Sequence, residues 1–285
     1  MKIQDKAGVP LRTEEKPTWC PGCPDHMIME SVRRALLSLI DKGFKRENFA
    51  MTCDIGCHGK IFDYLNMSGI YGLHGRAIPT AIGMKFGNPN LNVIAFAGDG
   101  ATYSEGMEHF VHACRSNPNI TLIVNDNQSF SLTTGQATPT SQLGFKTKIQ
   151  TSGVFTSPLS PLLLALVSGA TFIARCNARD LDHTQKIIEK AIQHKGFSFV
   201  EIIQDCIVFN IPVNNKDARM YKLDEKKRSF EEALTLAREF DYNIGDGKIA
   251  LGVFYEDETK VPLEENFPQI LELKKKGISW RDLKR

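Results

Sequence analysis

The stretch Val93-Ile94-Ala95-Phe96-Ala97-Gly98-Asp99-Gly100, with its continuation Ile120-Thr121-Leu122-Ile123-Val124-Asn125-Asp126-Asn127, decides the fold. Each apolar run is short, continuous and rich in β-branched residues, and reads as a strand buried on both faces. Thr102 and Glu105 stand three apart ahead of an amphipathic run to Arg115, the pattern of a capping box opening a helix. An acidic and an amide residue therefore end two strands joined by a helix. In open parallel sheets, ligands bind at that carboxyl edge. Glycines on either side of Asp99 allow a diphosphate to come close to the backbone, and a helix N-terminus there favours negative charge. Mg²⁺ takes about six oxygens, phosphate and water among them. The Asp99 carboxylate, the Asn127 amide oxygen and the Ser129 carbonyl can supply the protein's share. Gly-Asp-Gly alone is a common turn; its setting between strand, helix, strand and Asn gives it weight.

Outward from this centre the pattern alternates. Asp25 is expected to cap a helix with apolar positions at Ile28, Val32, Leu36 and Leu39. A strand is expected over 49–53 and a small-residue helix over 77–86. A helix over 158–168, a strand over 171–175, a helix over 180–194 and a strand over 197–203 follow. Such alternation predicts an α/β fold: a doubly wound, mainly parallel sheet with helices on both faces. Residues 128–157, rich in Ser, Thr, Gly and Gln, form a long loop of the kind that is functional or covered by a partner. Residues 1–17 read as an extended arm. Residues 1–212 are expected to form the main domain. Residues 213–285 are more charged and read as a C-terminal appendage, with helices near 229–240 and 264–276 and a strand over 249–255.

Composition excludes several classes. The chain has 285 residues, enough for one large domain, and its 42% apolar content allows a full core. A net charge of +2 with no basic stripe argues against nucleic-acid binding. No run of about 18 apolar residues suggests a membrane span. Met1 to Lys16 lacks the apolar stretch of a signal peptide, and the seven cysteines read as thiols or metal ligands of a cytoplasmic protein.

Cys20-Pro21-Gly22-Cys23 admits three readings. A redox pair is one, although the surrounding pattern differs from that fold. A zinc site needs two more ligands, usually a second close pair, which is missing here. An iron–sulfur cluster needs four thiolates and tolerates scattered ones, for which Cys53, Cys57 and Cys206 are available. Cys114 and Cys176 read as small buried residues.

The stretch from Gly98 to Asn127 resembles the thiamine-diphosphate motif. The chain as a whole is similar to the beta subunits of 2-oxoacid:ferredoxin oxidoreductases, in order from about 18 to 210. Trp19-Cys20-Pro21-Gly22-Cys23, Ile55-Gly56-Cys57, His74-Gly75-Arg76-Ala77 and Thr134-Gly135-Gln136-Ala137-Thr138-Pro139-Thr140 each match a family signature. The resemblance implies a thiamine-diphosphate-binding fold. It implies Mg²⁺ on Asp99, Asn127 and Ser129, and further cofactor contacts from Ile55, Gly56, His58, Gly98, Gly100, Ala101 and Phe130. It implies a 4Fe–4S cluster on Cys20, Cys23, Cys57 and Cys206. The activity implied is oxidative decarboxylation of a 2-oxoacid such as pyruvate or 2-oxoglutarate. Coenzyme A is the acyl acceptor and ferredoxin receives the electrons. An alpha subunit supplies the group that activates the cofactor, and further subunits are possible partners. Lys60, Arg76 and His74 are candidates for substrate or cofactor contacts; a solvated lysine and a hydrogen-bonded helix start are the plainer alternatives. A cluster-free thiamine-dependent decarboxylase and a zinc-stabilised interaction subunit are the competing functions. The sequence departs from the family pattern at Pro24, Asp54 and Ala101, and carries an additional thiol, Cys53.

Overall fold

The computed structural model describes residues 10–213, 216–240 and 247–277. Residues 1–9 of the expected arm lie outside that range; its visible end pairs with the segment after the second helix, where Arg12 bridges Leu65. Among the described residues, eight strands form one sheet: β1 (Phe49–Cys53), β2 (Ser68–Tyr71), β3 (Asn92–Gly98), β4 (Ile120–Asp126), β5 (Phe172–Asn177), β6 (Ser198–Ile203), β7 (Met220–Lys222) and β8 (Ile249–Glu256). Their order is β2-β1-β3-β4-β6-β5-β8-β7. All neighbours run parallel except β5 and β8, which are antiparallel. The segment expected as an appendage thus adds β8 and β7 to the edge of the same sheet.

Helices cover both faces. On one lie α1 (Asp25–Asp41) and α6 (Leu181–Gln193), their apolar stripes closing a core with Met51, Ile94 and Val200. On the other lie α3 (Ala77–Gly87), α4 (Met107–Ser116), α5 (Pro161–Val167) and α7 (Phe230–Ala237), around Phe110, Phe197 and Phe199. Phe110 meets Phe199 edge-on at 5.0 Å, a favoured aromatic geometry. Burying each such side chain stabilises the fold by about 1.5–3 kcal/mol. A short α2 (Ile61–Tyr64) follows β1, and α8 (Pro268–Lys276) ends the described chain. No described helix is long and apolar enough to cross a membrane. Between β5 and β6 the fully buried pair Arg175–Glu201 closes at 2.6 Å. The guanidinium lies 5.2 Å and 5.6 Å from the rings of Phe240 and Phe254, so the charge is compensated by a carboxylate and two π faces.

Two expected helix starts differ. Asp25 is already inside α1, after Pro24, and caps nothing. Its buried carboxyl instead accepts from Asn125 Nδ2 at 2.7 Å and from Cys23 Sγ at 3.3 Å. Thr102 and Glu105 form no capping box. Beyond Gly100 the chain coils as a π-helical turn over Ala101–Glu105, and α4 starts only after Gly106. Thr102 is buried inside that turn, where its hydroxyl cannot reach a free helix N–H. Single π turns of this kind concentrate at functional sites. Residues 128–157 contain no regular helix or strand, only the bridge Phe130–Gln136.

Candidate active site

At the carboxyl edge of β1, β3, β4 and β6 lie two adjoining cavities. The first is lined by the tips of β1 and β3, the end of β4 and the loop beyond it. Of the residues expected to bind cofactor, Ile55, Gly56, His58, Gly98, Asp99, Gly100, Ala101, Asn127, Ser129 and Phe130 all line it, and His74 joins them. Arg76 and Lys60 do not.

The glycines are required by contact. A methyl at Gly98 would sit 2.7 Å from His58 Nδ1, and one at Gly100 would sit 2.3 Å from the Phe130 ring. His58 is buried, with Nε2 unpartnered. Burial, with a smaller contribution from His74, lowers its pKa to about 3, so the imidazole is neutral. Asn125 Oδ1 and Gln204 Oε1, in the same wall, are also buried without partners. Buried polar atoms are ordinarily hydrogen-bonded; these three belong to residues that line one cavity.

Asp99 is buried, and burial raises its pKa against the hydrogen bonds of Thr138 and Thr140. Thr140 Oγ1 lies 2.9 Å from Asp99 Oδ2 and 3.1 Å from Asp126 Oδ1. With a single hydroxyl proton it serves one carboxylate at a time. Asn127 Oδ1 accepts from Ser129 N at 3.1 Å and from Ser131 Oγ at 3.3 Å. A carboxylate, an amide oxygen and the Ser129 carbonyl form a hard oxygen set suited to Mg²⁺, and the glycine-lined approach fits a diphosphate.

The His74-Gly75-Arg76 signature works as a clamp. Gly75, at φ +67°, packs so closely on the Glu105–Gly106 backbone that a Cβ would lie 2.4 Å from the Glu105 carbonyl. Arg76 donates to the Glu105 carbonyl at 2.8 Å. His74 Nδ1 lies 3.3 Å from Glu105 Oε2. Asp54, a departure from the family pattern, accepts from Ile55 N at 2.7 Å and Gly75 N at 3.0 Å, tying the two loops together. Burial raises its pKa to about 6.

The second cavity is lined by Cys20, Cys23, Cys57 and Cys206, together with Trp19, Asp25 and Lys60. Burial pushes the Cys57 thiol up to about 12; Asp25, Cys206 and Cys20 add to the effect while Lys60 opposes it. Cys23 is pushed up by burial and then by Asp25. Phe209 N points at Cys206 Sγ at 3.3 Å. Trp19 Nε1 donates to the Cys57 carbonyl at 2.6 Å and fixes that loop. Lys60 Nζ reaches the Thr18 carbonyl at 3.3 Å, on the thiol side. Cys53, Cys114 and Cys176 are buried elsewhere in the core. Among the described residues no three His, Cys, Asp or Glu side chains converge on one ion. Four thiols spread around a cavity suit a cluster better than a single zinc.

Sequence reasoning gave Asp25 only a helix cap, placed Asn125 only at the strand end, and assigned no role to Gln204 or Lys216. It quoted Thr138 and Thr140 only as part of a matched loop, a signal that their hydroxyls belonged to the site.

Residues 54–202 match the family described as thiamine pyrophosphate enzyme, C-terminal TPP binding domain. The chain is 37% identical to a 2-oxoacid:ferredoxin oxidoreductase subunit beta of Saccharolobus solfataricus, over 88% of this chain and 85% of that one. It is 40% identical to 2-oxoglutarate synthase subunit KorB of Archaeoglobus fulgidus, over 69% and 72%. Its fold is similar to a solved 2-oxoglutarate:ferredoxin oxidoreductase from Magnetococcus marinus with 2-oxoglutarate, coenzyme A and succinyl-CoA bound. There the TM-score is 0.84 and the identity 31%, covering 95% of this chain and 90% of the other.

Proposed function

The chain belongs to the beta subunits of the 2-oxoacid:ferredoxin oxidoreductases, and on that footing we propose that it holds magnesium thiamine diphosphate in the first cavity and a 4Fe–4S cluster in the second. In this reading an alpha–beta complex in the cytoplasm decarboxylates a 2-oxoacid oxidatively, forms the acyl-CoA and passes electrons to ferredoxin. The observation that carries it is the shared wall: Cys57, Asn127, Ser131, Leu132 and Gln204 line both cavities. Electrons released in one have only that wall to cross. A cluster-free decarboxylase leaves four thiols around a cavity without a role.

Thiamine diphosphate, when bound, supplies the carbanion chemistry of decarboxylation. The chain's residues bind and orient. Asp99, Asn127 Oδ1 and the Ser129 carbonyl hold the metal. Gly98 and Gly100 admit the diphosphate, while Ile55 and Phe130 exclude water around it. His58 offers a neutral nitrogen for hydrogen bonding, and His74 stands at the mouth. Cys20, Cys23, Cys57 and Cys206 hold the cluster, with Lys60 as the positive group facing it. Arg76 acts through the turn after Asp99 as a positioning residue.

Exposed apolar side chains support an alpha-subunit contact on the irregular 128–157 segment. Leu132, Leu143, Ile149 and Phe155, the last 86% exposed, all lie on that segment, whose residues 129–133 line the first cavity. Patches of this kind mark protein interfaces. Anaerobic co-expression with the alpha subunit, followed by assays of pyruvate and 2-oxoglutarate with coenzyme A, tests the proposal. Ferredoxin reduction is expected from the complex and not from the isolated chain. Full coenzyme A-dependent turnover by the isolated chain would contradict it.

A further inference from the structure

Asp54 stands where the loops after three neighbouring strands meet. It follows the last residue of β1, is 1% exposed, and its N–H donates to the Phe96 carbonyl of β3 at 3.0 Å. Its Oδ1 accepts from Ile55 N at 2.7 Å, in the loop after β1, and from Gly75 N at 3.0 Å, in the loop after β2. Gly75 in turn packs on Glu105 and Gly106, where the π turn after β3 ends. Gly59 covers the Asp54 carbonyl so closely that a Cβ there would lie 2.1 Å from it. The three loops carry Ile55, Gly56, His58, His74, Gly100 and Ala101, all of which line the first cavity. Asp54 itself is not among the lining residues.

A buried carboxylate is costly unless hydrogen bonds favour its ionised form. Burial raises the Asp54 pKa to about 6 against the amides of Ile55, Gly75 and Ala77, and Glu105 adds to the rise. At neutral pH the group is therefore ionised, and backbone N–H groups hold the charge. The other titratable or charged groups around it are its neighbour Cys53, Tyr71 opposite Cys53 on β2, His58 in the same loop, and His74 and Arg76 on either side of Gly75. Burial keeps Cys53, Tyr71 and His58 neutral between about pH 5 and pH 8. We propose that Asp54 is a positioning residue for the cofactor: as a carboxylate it latches the loop after β1 to the loop after β2, and so fixes the spacing of the first cavity's walls. A protonated or amidated group accepts more weakly and adds a donor among donors. This rests on the assignment of the first cavity to magnesium thiamine diphosphate.

The test titrates the alpha–beta complex, native and Asp54→Asn, with thiamine diphosphate in excess Mg²⁺ by calorimetry across a range of pH. Asn keeps the shape and removes the charge. At about pH 8 the variant is expected to bind about tenfold more weakly. The native advantage is present above about 6 and is lost as pH falls through that value, so that at about pH 5 the two agree within about twofold. The ratio isolates Asp54, because Asp99, His74 and the diphosphate titrate alike in both. Iron content is expected to stay native, since Trp19 holds the Cys57 carbonyl independently. Hydrogen exchange without cofactor is expected to quicken at the Ile55 and Gly75 amides and not in β3 or β4. A ratio that does not change with pH, equal affinities at about pH 8, loss of iron, or exchange quickened across β3 and β4 would overturn the proposal. If Asp54→Asn does not fold, Asp54→Ser is read by the same criteria. If the native complex binds no thiamine diphosphate at any pH, the cofactor assignment fails, and hydrogen exchange still decides whether Asp54 latches the two loops.

Discussion

The two cavities share a wall and a sheet edge, yet they are built in opposite ways. The first comes mostly from one continuous stretch, Gly98 to Thr133, with the tip of β1 and His74 added. The second is assembled from four distant segments: the approach to α1, the loop after β1, the loop after β4 that forms the shared wall, and the loop after β6. Their electrostatics differ as well. Burial raises the pKa of Asp99, but hydrogen bonds from Thr138 and Thr140 oppose that rise. In the second cavity, Asp25 pushes Cys57 and Cys23 further in the direction burial already takes them. At the oxygen site hydrogen bonds thus offset part of what burial costs a negative charge before any metal arrives. The thiol site depends on its metal for that charge.

If the two sites are separately built, each can be removed without the other. The largest effect is expected from Asp99→Ala. Metal-dependent thiamine diphosphate binding should weaken by more than about 100-fold, while iron content stays native. Calorimetry and iron analysis on the same preparation check this, and joint loss of iron would show that the cavities are one folding unit. Next comes the pair Cys57→Ser and Cys53→Ser. Cys57 lines the thiol cavity, whereas Cys53 ends β1 fully buried in the core. The first variant should lose or degrade the cluster, and the second should keep four irons and the native paramagnetic spectrum. The opposite pattern would move the ligand to Cys53 and require the loop from Asp54 to Lys60 to be redrawn.

A smaller effect separates the two glycine types. Gly98→Ala drives a methyl to 2.7 Å from the His58 ring and should cost about 1–3 kcal/mol, visible as a lower Tm and weaker cofactor binding. Gly22, beside the thiol cavity, has open space, with its nearest neighbour at 3.9 Å, but a φ of +83°. Gly22→Ala should cost about 1 kcal/mol through backbone strain alone and leave cofactor affinity unchanged.

The same contrast explains what could be read in the sequence. The strands around Asp99 and Asn127 were legible because two-face burial leaves unbroken apolar runs. Gly98 to Ala101 join the lining of the first cavity because the turn after β3 is continuous with that strand. The edge strand β2 was not legible: it is short and largely exposed, and carries no alternation. The same holds for β7, a three-residue strand. The capping box expected at Thr102 and Glu105 gave way to a π turn because Thr102 is needed inside and Glu105 faces His74. The cysteine set was open on spacing alone and took shape only through family resemblance, since nothing local links residue 57 to residue 206. In the sequence Asp25 reads as a helix cap and Lys216 carries no signal, yet both are buried. The burial of Asp25 is decided by the strand end it meets at Asn125, which only the folded chain brings to it.

The central claim is that the two cavities exchange electrons across their shared wall. The most direct measurement is electron paramagnetic resonance of the anaerobic alpha–beta complex after a 2-oxoacid substrate is added. The account predicts a reduced-cluster signal that requires both thiamine diphosphate and Mg²⁺, and that is absent in Asp99→Ala although its iron is intact. A signal of equal size without thiamine diphosphate, or a complex that carries cofactor but no iron, would contradict it.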